Sequence, residues 1–108
     1  MADLDMTQKN TVQVVCVAEF RALECKTDAL VAALHSLIEA TTSEPGCMRY
    51  ELNQRVDDER WVTFVEKWKD QKAFDEHCQM PYIKNFFDDV RPQLAEEFAV
   101  KLYHEFLP

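Results

Sequence analysis

Apolar and polar positions alternate along Thr11–Phe20 (TVQVVCVAEF), the period of a strand. Val12, Val14, Cys16, Ala18 and Phe20 share one face, and Gln13, Val15, Val17 and Glu19 the other. The spacing then changes to three and four. Leu30, Ala33, Leu34, Leu37 and Ile38 form a helical stripe, with Thr27 or Asp28 placed to cap its first turn. That helix is predicted to end near Thr42–Ser43, before Glu44-Pro45-Gly46 turns the chain. Alternation returns over Cys47–Arg55, with Met48, Tyr50 and Leu52 on one side. After a polar loop, Arg60–Trp68 sets Val62, Phe64, Glu66 and Trp68 opposite Trp61, Thr63, Val65 and Lys67. Asp70 is placed to cap a short helix carrying Phe74, His77 and Cys78 on one face. Pro81 restarts the chain as a helix from about Tyr82 to Val90, burying Ile83, Phe86, Phe87 and Val90. Pro92 interrupts again, and Phe98–Phe106 alternates as a closing strand.

The order is β-α-β-β-α-β, which predicts an α+β, ferredoxin-like split βαβ fold with a four-stranded antiparallel sheet. One domain spans 11–108, behind a flexible N-terminal segment, 1–10. Helices on one face leave the other bearing Val15, Val17, Trp61, Val65 and Tyr103, too apolar to remain in water. A homodimer packed through its sheets is the simplest cover.

Composition narrows the function classes. The 108 residues carry 20 acids and 12 bases, a net charge of −8. No basic stripe exists to displace counterions from phosphates, so neither nucleic acid nor an anionic membrane is an expected partner. No apolar run approaches a membrane span, and the polar start MADLDMTQKN lacks a secretory core. A cytoplasmic setting is expected. The four cysteines have neither C-x-x-C nor zinc-ligand spacing, which suits free thiols and no bound metal. Gly46 is the lone glycine and so marks a special position.

The ionisable residues between 44 and 87 hold the candidate chemistry. Glu66 alternates with Phe64 and Trp68, so helices over that face would desolvate its carboxyl and raise its pKa. His77 points from its helix toward the same face, and an imidazole beside a carboxylate suits general base work. A histidine on an apolar helix face is also commonly a satisfied core residue. Tyr50 and Trp68 would line the same space, making an apolar pocket with a few convergent polar groups. His104 alternates with Leu102 and Phe106 and is a further candidate for the pocket wall.

Glu44-Pro45-Gly46-Cys47-Met48-Arg49-Tyr50-Glu51-Leu52, then Phe64-Val65-Glu66-Lys67-Trp68, then Ala73-Phe74-Asp75-Glu76-His77 and Pro81, together resemble the antibiotic biosynthesis monooxygenase family of quinol monooxygenase type. The resemblance spans about 11–90. It implies a dimeric α/β barrel and oxidation of a phenol, quinol or anthrone-like substrate by molecular oxygen, with no cofactor. On that resemblance His77 is the base or proton shuttle and Glu66 orients it. Tyr50 hydrogen-bonds the developing anion, and Trp68 and Phe86 contact the ring. Many relatives carry a histidine directly after the proline, where this chain has Tyr82, whose hydroxyl could join the pocket instead. Other branches of the family isomerise phosphorylated autoinducer-2 or degrade haem. The haem branch uses a first-strand asparagine, and the first strand here offers none beyond Asn10. A non-enzymatic dimer that binds an aromatic metabolite is the remaining alternative.

Overall fold

The structure is a computed structural model and describes residues 12–108. The expected flexible segment 1–10, and Thr11 at the start of the first predicted strand, lie outside them. Strand β1 runs Val14–Arg21, helix α1 Thr27–His35, helix α2 Ile38–Thr42, β2 Cys47–Gln54 and β3 Trp61–Trp68. Helix α3 (Gln71–Gln79), α4 (Pro81–Val90), a 3-10 turn over Arg91–Gln93 and β4 (Ala99–Tyr103) complete the chain. The sheet is antiparallel in the order β2-β3-β1-β4, the ferredoxin-like arrangement read from the residue pattern. Among the described residues no helix is long and apolar enough to cross a membrane.

Strict alternation in β1 and β3 makes the core. Val14, Cys16, Ala18 and Phe20 are buried beside Val62, Phe64, Glu66 and Trp68, with Leu30 and Leu34 of α1 packed over them. The opposite positions, Val15, Val17, Trp61 and Val65, are half-buried, while Tyr103 is exposed. Helical cover stops short of the edge strand: Val100 and Leu102 pair with Ala18 and Cys16 yet remain exposed.

Three local features depart from the simple periodicities. The first predicted helix is two helices, because Ser36 Oγ donates to the Ala33 carbonyl at 2.6 Å and Leu37 N–H bonds Leu34 O instead. Neither Thr27 nor Asp28 caps α1; Lys26 occupies the cap position without a side-chain bond, and Asp28 sits in the first turn, where the helix dipole favours an acid. A β-bulge between Cys47 and Arg49 sets Cys47, not Met48, opposite Trp68 on the inner face, and leaves Met48 exposed.

Two other features anchor α3. Asp70 accepts the Ala73 amide at 2.8 Å, the predicted N-cap. Gly46 has no positive φ; it is required by close approach, since a Cβ there would lie 2.3 Å from Ala73 Cβ. The turn before β2 therefore presses directly on the helix that carries His77.

Candidate functional site

The site begins with a row across the sheet. Tyr50 on β2 pairs with Glu66 on β3, which pairs with Cys16 on β1. All three point to the helical layer and are buried. From that layer α3 brings in Phe74 and His77, and α4 brings in Ile83 and Phe86. Between the layers lies a cavity of about 150 Å³ whose wall includes Tyr50, Glu66, His77 and Phe86. Phe20, Phe64, Phe87 and Phe98 also line it. A broader depression over Gln71, Lys72, Asp75 and Glu76 lies open to solvent and gathers none of the candidate groups.

Glu66 is 4% exposed. Burial pushes its carboxyl up to about 7, against hydrogen bonds from Trp68 and Cys16 that favour the anion. Trp68 Nε1–H donates to Glu66 Oε1 at 2.9 Å. The same burial, with Glu66 beside them, pushes the Cys16 thiol and the Tyr50 phenol far up. Tyr50 is thus a hydrogen-bond donor rather than a base, and the Thr41 hydroxyl only partly offsets that rise.

His77 is held by a different carboxylate from the one its strand neighbours suggest. Its Nδ1 lies 2.7 Å from Glu44 Oε2, and the two side chains are 6% and 10% exposed. Glu66 is bonded to Trp68 instead, so its expected role of orienting His77 falls to Glu44. The same Glu44 oxygen accepts a short hydrogen bond from the Tyr82 hydroxyl, which in turn lies 3.2 Å from Thr41 Oγ1. With Nδ1–H donating to Glu44, the neutral imidazole keeps its Nε2 lone pair, and no described residue hydrogen-bonds that atom. Trp68 lies behind the imidazole, ring centroids 4.5 Å apart, and Tyr50 meets it edge-on at 5.9 Å.

The other candidates separate. Phe86 lines the cavity as expected. Trp68 is fully buried and supports both His77 and Glu66 without joining the wall. Tyr82 reaches Glu44 and not the cavity. His104 is exposed beyond β4, its Nδ1 3.0 Å from the Gln13 carbonyl oxygen, and is no part of the site. Glu44 itself sits in an irregular turn, where no periodicity marks a side chain as inward. Its only signal is membership of the Glu44-Pro45-Gly46-Cys47 run.

The chain matches the family described as antibiotic biosynthesis monooxygenase over residues 13–89. The Mycobacterium tuberculosis protein named "Putative monooxygenase Rv0793" is 32% identical over 90 residues, covering 83% of this chain and 88% of that protein. An uncharacterized Synechocystis protein is 28% identical over 90 residues; the match covers 83% of this chain but 61% of that longer protein. Among solved structures, protein SO0527 from Shewanella oneidensis superimposes with a TM-score of 0.83 at 54% identity, over 89% of this chain and 93% of that one.

Proposed function

We propose a reaction class from one premise: the chain belongs to the antibiotic biosynthesis monooxygenase family. The reading is oxidation of a small phenol, quinol or anthrone-like substrate by molecular oxygen without a cofactor, the substrate's own anion reacting with oxygen. The observation that carries it is the buried His77–Glu44 pair, whose imidazole lies in the wall of an aromatic-lined cavity. His77 Nε2 removes a proton from the phenol or the activated carbon, and Glu44 stabilises the imidazolium at Nδ1. Tyr50 donates to the oxyanion, and Phe86 holds the ring. The anion passes its electrons to oxygen, a carbon–oxygen bond forms, and His77 returns the proton to the peroxide. Loss of the remaining hydrogen with cleavage of the oxygen–oxygen bond leaves a carbonyl and releases water. One oxygen atom enters the substrate, the other leaves as water, and no proton is consumed overall.

The cavity wall bears on the alternatives. Among the described residues it contains no lysine or arginine, so a phosphorylated sugar-like substrate finds no counter-charge from them. At about 150 Å³ it is too small for a porphyrin. The apolar outer face of the sheet supports a sheet-to-sheet homodimer, which sedimentation at two concentrations tests. The reaction is tested by oxygen consumption with a panel of quinols and anthrones. His77→Ala is expected to lower turnover by about 10²- to 10⁴-fold, the usual worth of a positioned base. Tight aromatic binding with no oxygen uptake would leave a binding protein and sink the enzymatic reading.

A further inference from the structure

We infer that Tyr82 is a positioning residue for His77: by bonding the same Glu44 oxygen, it limits the charge Glu44 offers the imidazole and so sets its basicity. The inference rests on the reading of His77 as the base for its catalytic meaning, though its geometry stands alone. Glu44 Oε2 accepts from two donors at once, His77 Nδ1 at 2.7 Å and the Tyr82 hydroxyl. A carboxylate oxygen shared in this way is a poorer acceptor for each partner than it would be for one. Tyr82 is itself fixed. Pro81 starts α4 immediately before it, and the fully buried Thr41 lies 3.2 Å from its hydroxyl. Burial and the Glu44 bond push the Tyr82 phenol up to about 12, so it remains a donor throughout the neutral range.

The consequence is chemical. A base paired with an unshared buried carboxylate holds its proton tightly, and His77 must both take a proton and return it within one turnover. Sharing Glu44 with Tyr82 weakens the imidazolium's hold without releasing the ring from its orientation. The other ionisable groups around the imidazole are Cys16 on β1, Tyr50 on β2, Glu66 on β3 and Cys78 on its own helix, with Cys47 close to Glu44. Glu66, whose carboxyl burial pushes up to about 7, has to be separated from the effect.

The test is an NMR titration of the His77 ring in the full chain, for the wild type and Tyr82→Phe, each repeated in a Glu66→Gln background. The His77 midpoint is expected to rise by about half to one pH unit in Tyr82→Phe in both backgrounds, the worth of one hydrogen bond. A folded Tyr82→Phe protein whose His77 midpoint stays within about 0.2 units of wild type overturns the inference. If Tyr82→Phe does not fold, Tyr82→Met, which removes the hydroxyl but keeps an apolar side chain, decides in its place. It should move the midpoint, and an unmoved midpoint overturns the inference equally. The two readings fail separately: a shifted midpoint with no oxygen uptake from any substrate ends the monooxygenase reading and leaves Tyr82 in its positioning role.

Discussion

Replacing Glu66 by Gln should make the protein more stable at pH 8 and nearly unchanged at pH 5. The side chain is 4% exposed, and burial raises its carboxyl from 4.5 to about 7. The folded state therefore holds this proton more tightly than the unfolded chain does. The stabilisation is full below pH 4.5 and is lost progressively as the pH rises through about 7. A displacement of that size corresponds to about 3 kcal/mol between the two limits. Glutamine keeps the shape of the protonated acid, its carbonyl can still accept from Trp68 Nε1, and it has no proton to lose. The assay is urea unfolding of both proteins at pH 5, 6, 7 and 8, at one protein concentration so that any self-association contributes equally. The curves should diverge with pH, the variant leading by about 3 kcal/mol at pH 8, or on the order of 10 °C in melting temperature for a domain this small. Parallel stability curves from pH 5 to pH 8 would refute the argument, because they would mean that Glu66 ionises in the fold at no cost.

Two further perturbations test the frame around the site. Gly46→Ala drives a methyl group to within 2.3 Å of Ala73 Cβ, so it should cost about 1–3 kcal/mol in thermal unfolding, as overpacking does. Ala73→Gly should recover part of that loss in the double variant, and strictly additive losses would show that the two positions do not touch. Thiol labelling followed by mass spectrometry should find Cys25 modified first, since it is exposed, with Cys47 and Cys78 slow because burial pushes both thiols up to about 11. Cys16 should stay unlabelled until the protein unfolds, and labelling it as fast as Cys25 would contradict its place under the helices.

What the residue pattern reveals depends on how many neighbours repeat the same instruction. In β1 and β3 eight consecutive positions alternate, and each is checked by its cross-strand partner, so their register and inner face follow directly from the amino acids. Tyr50, Glu66, His77 and Phe86 were legible for that reason: each belongs to an element with an unambiguous inner face. The failures occur where one residue overrides its neighbours. Ser36 competes for a backbone carbonyl and divides a helix that the apolar stripe runs through unbroken. Met48 takes the extra place in a bulge, which an alternating pattern cannot signal. His104 alternates with apolar residues but lies one residue beyond β4, where no layer covers the strand.

Glu44 shows why the carboxylate partner of a buried histidine is the hardest part of such a site to read. Periodicity identifies Glu66 because a charged residue in a strand of apolar ones breaks a pattern. A carboxylate with that setting is disfavoured in its charged form, as its rise to about 7 reflects, and so is a poor counter-ion for an imidazolium. A base needs a carboxylate whose charge is stabilised by donors, and a side chain free of the sheet can reach the donors of the helical layer. The turn between α2 and β2 meets that need, and the close packing of Gly46 on Ala73 carries it to the second turn of α3, where Glu44 reaches Nδ1. The two acids near His77 thus divide by environment, one made reluctant to ionise by the sheet and one held by two donors at its end. A pair of carboxylates so divided can serve as an acid and as a counter-ion around one imidazole. Charge removal at either member should be diagnostic: Glu44→Gln takes away the counter-charge at Nδ1 and, on the proposed reading, should lower turnover sharply, whereas Glu66→Gln should leave the orientation of His77 intact.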